Sequence, residues 1–105
     1  AARLADPAAR TVALETGQGR LVVLPDGRAV LVLDDLDAAP AGKTYEAWIV
    51  EGGTPLPAGI FPGREDRDLV PLEGTVDPGD VVAVTIEDEL VATPEGDVIV
   101  ASESA

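Results

Sequence analysis

Short aliphatic runs, each ended within a few residues by a glycine or proline turn signal, restrict the fold of this chain more than any other feature. Pro25-Asp26-Gly27, Phe61-Pro62-Gly63 and Asp77-Pro78-Gly79 are clear turn sequences, because proline and glycine favour the backbone angles of tight turns. The runs between such signals are rich in valine, and none carries the period of an amphipathic helix. The chain of 105 residues is therefore predicted to be built from short strands, and its length fits one domain.

This pattern predicts eight strands, and strands at such short spacing are typical of a sandwich or barrel. The predicted strands are Arg10–Glu15, Arg20–Leu24, Arg28–Leu33, Thr44–Val50, Ala58–Phe61, Asp68–Glu73, Val81–Glu87 and Val98–Ala101. With 14 Val, 11 Leu and 4 Ile against one Trp, one Tyr and one Phe, the core must be aliphatic. We predict an all-β fold, an antiparallel β-sandwich of about seven or eight short strands with Greek-key-like connections and a single core.

Several strands can be placed in the sheet from their local sequence. Leu21–Leu24 and Arg28–Leu33 should form a hairpin, since Gly27 between them can adopt a positive φ. Val30–Leu33 is apolar on both faces, which favours a central position. Pro71 has no amide hydrogen, so its strand is predicted to lie at an edge or to carry a bulge.

Alternation along the strands predicts which side chains enter the core. The predicted core residues are Val12, Leu14, Val23, Val30, Val32, Tyr45, Ile49, Phe61, Val82, Val84, Ile86 and Val100. Tyr45 and Trp48 are an odd number of positions apart, so they should point to opposite faces of one strand. One of them is then expected in the core, and the other under a loop or at a second interface. Gly42 and Gly59 are predicted to be critical to the backbone.

Charge and composition exclude several classes of function. The chain has 20 acidic and 7 basic residues, a net charge of −13, and so lacks the basic surface that binds nucleic acid. It has no His, Cys or Met, which excludes disulfides, imidazole or thiolate metal sites and a His-dependent triad. Its serines, Ser102 and Ser104, lie near the C-terminus without a neighbouring base. We therefore expect no enzymatic activity, no catalytic residue, no cofactor and no dedicated metal ligand.

Three acidic clusters leave a second function open. They are Asp34-Asp35-Leu36-Asp37, Glu65-Asp66-Arg67-Asp68 and Glu87-Asp88-Glu89. Acidic loops can supply the oxygen ligands that Ca²⁺ prefers, although none of these has the EF-hand spacing. We interpret them as solvated loops. Two of them could still converge at one end of the fold, and the alternative function is then an acidic extracellular binding module that depends on calcium.

One part of the sequence resembles a known family. Gly42-Lys43-Thr44-Tyr45-Glu46-Ala47-Trp48 leads through a Gly/Pro loop to Pro55-Leu56-Pro57-Ala58-Gly59-Ile60-Phe61, and Val84-Thr85-Ile86-Glu87 follows. These stretches resemble the C-terminal domain of bacterial anti-sigma-K factors, with its "G-K-x-Y-x-x-W", "P-x-x-A-G-x-F" and "V-T-x-E" patterns. The motif residues, to which we assign structural roles, are Gly42, Lys43, Tyr45, Trp48, Pro57, Ala58, Gly59, Phe61, Thr85 and Glu87.

The chain departs from the family pattern at two places. The pair after the tyrosine is Glu46-Ala47, and the acidic segment Asp88-Glu89-Leu90 replaces a Gly/Ser-rich one. Both departures leave the expected fold intact, but no particular ligand or partner surface can be carried over from the family.

The resemblance implies a place within a larger membrane protein. In that family a cytoplasmic domain holds an alternative sigma factor, a transmembrane helix follows, and this domain lies on the extracytoplasmic face of the bacterial cell membrane. Cleavage by site-specific proteases then releases the sigma factor. We expect residues 1–9 to be a flexible juxtamembrane lead-in, 10–103 to be the β-domain and 104–105 to be a tail. The expected function is sensing and protease gating, with sigma-factor binding left to the parent protein's cytoplasmic domain and the oligomeric state left open.

Overall fold

The computed structural model describes residues 9–63, 67–88 and 94–105, and its regular structure in these ranges consists of β-strands. The strands are β1 (Arg10–Thr16), β2 (Gly19–Val23), β3 (Ala29–Asp34), β4 (Thr44–Glu51), β5 (Thr54–Phe61), β6 (Arg67–Pro71), β7 (Val81–Glu87) and β8 (Val98–Ser102). All of their pairings are antiparallel. The predicted all-β antiparallel fold is therefore confirmed, with eight strands.

The strands follow one another in a single sheet, in the order β5-β4-β7-β8-β1-β2-β3-β6. β1 joins the two halves of this sheet. Its first half pairs with β2, where Arg10 lies opposite Val23, and its end pairs with β8, where Leu14 lies opposite Ser102. The register of the β1–β8 pairing is irregular just after Leu14, and such irregularities bend a strand and increase its twist. The sheet therefore bends at β1.

The two ends of the sheet come close enough to close it nearly completely. The amide of Glu73, just after β6, donates a hydrogen bond to the carbonyl of Ala58 on β5 at 2.9 Å. The fold is thus one barrel-like sheet, and the prediction of a sandwich of two packed sheets is corrected on this point. Inward and outward side chains alternate in the same way in both architectures, so the sequence pattern could not separate them.

The local predictions for β2, β3 and β6 agree with this topology. The β2–β3 hairpin is closed by the amide of Leu24, which donates to the carbonyl of Arg28 at 2.8 Å, and Gly27 has a φ of 91°. β3 lies between β2 and β6, and β6, which carries Pro71, is an edge strand. β5 starts at Thr54, earlier than predicted, because an edge strand can accommodate prolines whose nitrogen atoms face away from the neighbouring strand.

The interior of the barrel-like sheet is filled by aliphatic side chains. Leu21, Leu31, Val82 and Val84 are each 0% exposed, and Tyr45 packs among them. Seven predicted core residues belong to this cluster: Val12, Val23, Tyr45, Ile49, Val82, Val84 and Val100. Three more, Leu14, Phe61 and Ile86, are half-buried and pack against this cluster. Val30 is half-buried, and Val32 is buried but lies outside the cluster.

The boundaries given for the domain stay a prediction. In the described residues, β1 starts at Arg10 and β8 ends at Ser102. The predicted flexible lead-in falls largely on residues 1–8, which lie outside the described residues. The described ranges contain no helix long and apolar enough to cross a membrane.

We expect Leu31→Ala to lower the free energy of unfolding by about 2–5 kcal/mol, because it empties part of a fully buried core position. Leu69→Ala on the neighbouring strand is the matched control. Its side chain is 54% exposed, and we expect a change within about 0.5 kcal/mol. Urea unfolding followed by circular dichroism measures both. Equal losses in the two variants would contradict the assignment of β3 to the core.

Candidate functional site

The two motif aromatics of β4, Tyr45 and Trp48, lie on its opposite faces. Tyr45 belongs to the core cluster, whereas Trp48 is 0% exposed but lies outside that cluster. This is the arrangement that their odd spacing predicts. β4 pairs with β5 on one side and with β7 on the other, so it lies next to the motif residues of both strands.

On the outer face of β4, Trp48 begins a buried chain of hydrogen bonds. Its indole nitrogen Nε1 donates to the hydroxyl Oγ1 of Thr85 on β7 at 2.9 Å. That hydroxyl in turn donates to the carboxylate Oε2 of Glu87. Thr85 and Glu87 are 1% and 3% exposed, so the chain is shielded from water. Because a buried polar group without a partner is costly, each of these three side chains depends on the next.

Glu87 also holds the segment that leads into β8. The amides of Gly96 and Glu95 donate to its carboxylate at 3.1–3.2 Å. A Cβ atom at Gly96 would lie 1.7 Å from the carbonyl oxygen of Ile86, so this position admits glycine alone without a backbone shift. Burial raises the pKa of Glu87. The hydrogen bonds from Thr85, Gly96 and Glu95 outweigh this effect and leave the pKa below its ordinary value. The carboxylate of Glu87 is therefore an anion that these hydrogen-bond donors hold in place.

Beside this buried network lies an exposed ion pair. Lys43, at the start of β4, contacts Asp88, which follows β7 directly. Both side chains are largely exposed, so the pair is expected to contribute less than about 1 kcal/mol. It therefore adds little to the attachment between β4 and β7.

On the inner face of β4, Tyr45 anchors the loops at the end of the barrel-like sheet. Its ring lies 5.5 Å from that of Phe61, and its hydroxyl donates to the carbonyl of Asp37 at 2.8 Å. A Cβ atom at Gly63 would lie 2.5 Å from the tyrosine ring, so the turn after β5 passes directly over it. Burial raises the pKa of the Tyr45 hydroxyl, and the carboxylates of Asp37 and Asp68 raise it further.

The remaining motif residues shape the backbone of β5 and the entry to β4. Ala58 is fully buried at the register irregularity opposite Ala47 and Trp48, and Gly59 next to it has a φ of 134°. Pro57 is exposed. Gly42 has a φ of 78° in an open turn, so its need for glycine comes from the backbone angle.

The first two acidic clusters lie side by side, since Asp34 on β3 is opposite Arg67 on β6 and pairs with it at 2.8 Å. Among the described residues, however, the three clusters form no group of three carboxylates that could hold a metal ion. Asp88 contacts Lys43, while Glu65, Asp66 and Glu89 lie outside the described residues. The sequence reading missed a different group, in which carboxylate oxygens of Glu51, Asp77 and Asp80 lie within 4.8 Å of one another.

These three carboxylates could hold a cation, but a local structural role already accounts for one of them. Asp80 is buried and accepts the amide of Asp77 at 2.9 Å, which fixes the turn before β7. Glu51 lies at the distant end of β4, so sequence spacing gave no signal for this group.

The structural role of Ser102 was also missed, because the sequence places it close to the tail. Its hydroxyl accepts the amide of Val82 at 2.9 Å and donates to the carbonyl of Glu103 at 2.8 Å, and the residue is 0% exposed. Its hydroxyl hydrogen and acceptor positions are thus used in holding β8 to β7. In the part of the chain that the structure describes, Tyr45, Trp48, Thr85 and Glu87 take part in hydrogen bonds that join strands and loops.

Comparison with known proteins identifies relatives. The family model "Anti-sigma-K factor rskA, C-terminal" matches residues 1–98. A curated protein of Streptomyces griseus, described as "Uncharacterized protein in phr 5'region", is 34% identical over 88 residues, which are 80% of this chain and 37% of that protein. The chain thus spans little more than a third of this relative. No solved structure matches the chain.

We expect Glu87→Gln to lower the free energy of unfolding by about 1–3 kcal/mol at neutral pH, because the amide cannot accept all the hydrogen bonds that the carboxylate receives. Folding lowers the pKa of Glu87, so its ionised form stabilises the fold fully above the ordinary glutamate pKa of about 4.3. This contribution is lost as the pH falls through the lower, folded value. The difference between wild type and variant should therefore shrink on acidification.

Urea unfolding at neutral and acidic pH, followed by circular dichroism, measures this difference. Asp88→Asn is the control, since it removes one charge next to the network from an exposed side chain. It should cost less than about 1 kcal/mol at neutral pH. A Glu87→Gln effect that stays constant with pH, or that Asp88→Asn reproduces, would contradict the clamped carboxylate.

Proposed function

This chain belongs to the family of anti-sigma-K factor C-terminal domains, and on that premise we propose that it is the extracytoplasmic sensory and protease-gating domain of a membrane-anchored anti-sigma factor. The observation that carries the proposal is the family match, which extends over residues 1–98. The geometry is compatible with it, because the motif residues build a closed framework. Regulation by a folded framework requires a change in its stability or contacts rather than a reaction at a catalytic centre.

The sigma factor is proposed as the partner of another part of the parent protein. Two observations support this: the match to the family, and the fact that the matched part of this chain spans 37% of the length of the Streptomyces griseus relative. The remaining length of such a parent leaves room for a sigma-binding domain and a membrane anchor. This domain would then act at a distance, by controlling whether proteases reach the segment that joins it to the anchor.

A nearly closed sheet gives a physical basis for gating. Proteases need an extended segment, and here just over half of the described residues lie in paired strands around a buried core. When a domain opens and recloses faster than it is cut, cleavage follows the population of the opened state. A tenfold change in that population corresponds to about 1.4 kcal/mol. A signal that alters the stability of this domain slightly would therefore change the release of the sigma factor strongly.

In the native host, we expect Leu31→Ala in the complete protein to increase its cleavage and the transcription that its sigma factor drives, because the variant populates the opened state more. An N-terminal epitope tag and an immunoblot would detect the shortened membrane-bound product. Transcript profiling would report the sigma factor. Val98→Ala is the matched control, since its side chain is 56% exposed and its loss leaves the core intact.

Two results would contradict the proposed function. One is a complete coding sequence without an apolar segment of about 20 residues to anchor the protein. The other is unchanged cleavage and transcription in a Leu31→Ala strain whose purified domain is measurably less stable. If in addition millimolar Ca²⁺ raised the melting temperature beyond the effect of matched ionic strength, the acidic binding module would become the better reading.

A further inference from the structure

β1 is paired with one neighbouring strand along each of its halves. Its pairing with β2 covers Arg10–Ala13, and its pairing with β8 covers Leu14 and Thr16, between which the register is irregular. β4, in contrast, has a partner strand on both sides from Tyr45 to Val50. β1 would therefore give up fewer hydrogen bonds per residue on leaving the sheet than a strand that is paired on both sides.

The side chains of β1 also contribute little to the core. Val12 is the one buried residue of this strand, whereas β2 and β3 bury three and four residues. Leu14 is half-buried and packs against the core cluster. Segments with few buried apolar side chains open locally at a lower free energy than the core of a domain. Burial and pairing therefore both place β1 among the weakly held parts of the described chain.

Residues 103–105, which follow β8, restrain β1 and are called the latch below. The amide of Glu103 donates to the carbonyl of Ala13 on β1 at 3.0 Å. Two residues further on, the amide and the carbonyl of Ala105 both form hydrogen bonds of 2.8 Å with the turn at Gly79-Asp80. Ala105 also packs against the core cluster. The latch therefore connects β1 to the turn before β7.

The two halves of the sheet have a second connection, which does not involve β1. After β6, the amide of Glu73 donates to the carbonyl of Ala58 on β5 at 2.9 Å. The amide of Val76 then donates to the carbonyl of Gly27, in the turn between β2 and β3, at 2.8 Å. Val76 is 1% exposed and belongs to the core cluster. This connection would hold the two halves together after β1 had left.

We propose that β1 leaves the sheet ahead of the rest of the domain, and that the latch restrains it through the hydrogen bond to Ala13. The role of this step in the cell rests on the proposed function, in which the segment upstream of β1 leads to the membrane anchor. Release of the seven residues of β1 would lengthen that segment by about 23 Å, at about 3.3 Å per residue. A signal that displaced the latch would then expose the segment to proteases without unfolding the core.

Alternate amides of β2 allow a test within one strand. The amide of Leu24 faces β3, where it closes the hairpin, so the amides of Leu21 and Val23 face β1. Hydrogen exchange of the purified 105-residue chain, followed by NMR, measures each amide. After correction for intrinsic rates, the two amides that face β1 should exchange at least tenfold faster than those of Arg20 and Val22, which face β3. Equal protection of the two pairs would mean that the domain opens as a whole, and would overturn the proposal.

Glu103→Pro tests the latch, because proline has no amide hydrogen to donate to Ala13. It should speed exchange of the two β2 amides that face β1 at least fivefold and leave the two that face β3 within twofold. Glu103→Ala is the matched control, since it removes the same charge but keeps the amide, and it should change neither pair more than twofold. Equal effects of the two variants, or an equal rise at all four amides, would overturn the role of the latch.

A disulfide between β1 and β2 tests the release in the opposite direction. The chain has no cysteine, so Ala13→Cys with Arg20→Cys introduces one pair, at opposite, non-hydrogen-bonded positions that a disulfide can bridge. Oxidation of this variant should slow exchange of the two amides that face β1 at least tenfold. Asp34→Cys with Arg67→Cys, the matched control, joins β3 to β6 at the same kind of pair and should change their exchange less than threefold.

Equal slowing by the two disulfides would show that these amides exchange by opening of the whole domain, and would overturn the proposal. All of these measurements use the isolated chain. Their failure would leave the result expected for Leu31→Ala in the host unchanged, so it can be told apart from a failure of the proposed function.

Discussion

β4 is buried on both of its faces, and the rest of the structure follows from the need to cover each of them. From Tyr45 to Ile49 every residue is buried, whereas in β1 and β6 exposed residues flank the buried ones. The inner face is covered by the aliphatic core of the barrel-like sheet. The outer face carries Trp48 and Glu46, and burying it requires hydrogen-bond partners as well as contacts. A large aliphatic core alone would not meet that requirement.

The outer face of β4 shows how a strongly acidic chain can bury a carboxylate. Removing a charge from water costs several kcal/mol unless donors replace the lost hydration. For Glu87 the donors are the Thr85 hydroxyl and the amides of Glu95 and Gly96. The donors outweigh the desolvation, because the pKa of Glu87 lies below its ordinary value. The same hydrogen bonds attach the segment before β8 to β7. They therefore solvate the charge of Glu87 and hold this segment in place at the same time. This is why Gly96, which admits the close approach, belongs to the framework as much as the motif glutamate does.

The sequence predicted the local structure well and the closure of the sheet poorly, for physical reasons. The β2–β3 hairpin depends on Gly27, and the edge position of β6 depends on Pro71. Each of these two features can therefore be predicted from the type of a single residue. The opposite orientation of Tyr45 and Trp48 follows from the period of a strand. In contrast, the corner in β1 after Leu14 and the bond between Glu73 and Ala58 arise from contacts between distant parts of the chain.

The candidate site shows the same division between local and distant information. Thr85 and Glu87 could be named from the "V-T-x-E" pattern, but the hydrogen bond from Trp48 to Thr85 depends on the pairing of β4 with β7. The hydrogen bond from the Gly96 amide to Glu87 depends on the approach of the segment before β8. The role of Ser102 could not be named at all. A hydroxyl close to the end of the chain gives no sign in the sequence that it will accept the amide of Val82 from the neighbouring strand.

Prolines lie along both edges of the sheet, where its closure is incomplete. Pro71 on β6 has no amide to donate towards β5, and Pro55 and Pro57 on β5 have no amide to donate either. The same prolines protect the two edges from indiscriminate pairing with other chains, which is the usual hazard of an exposed strand.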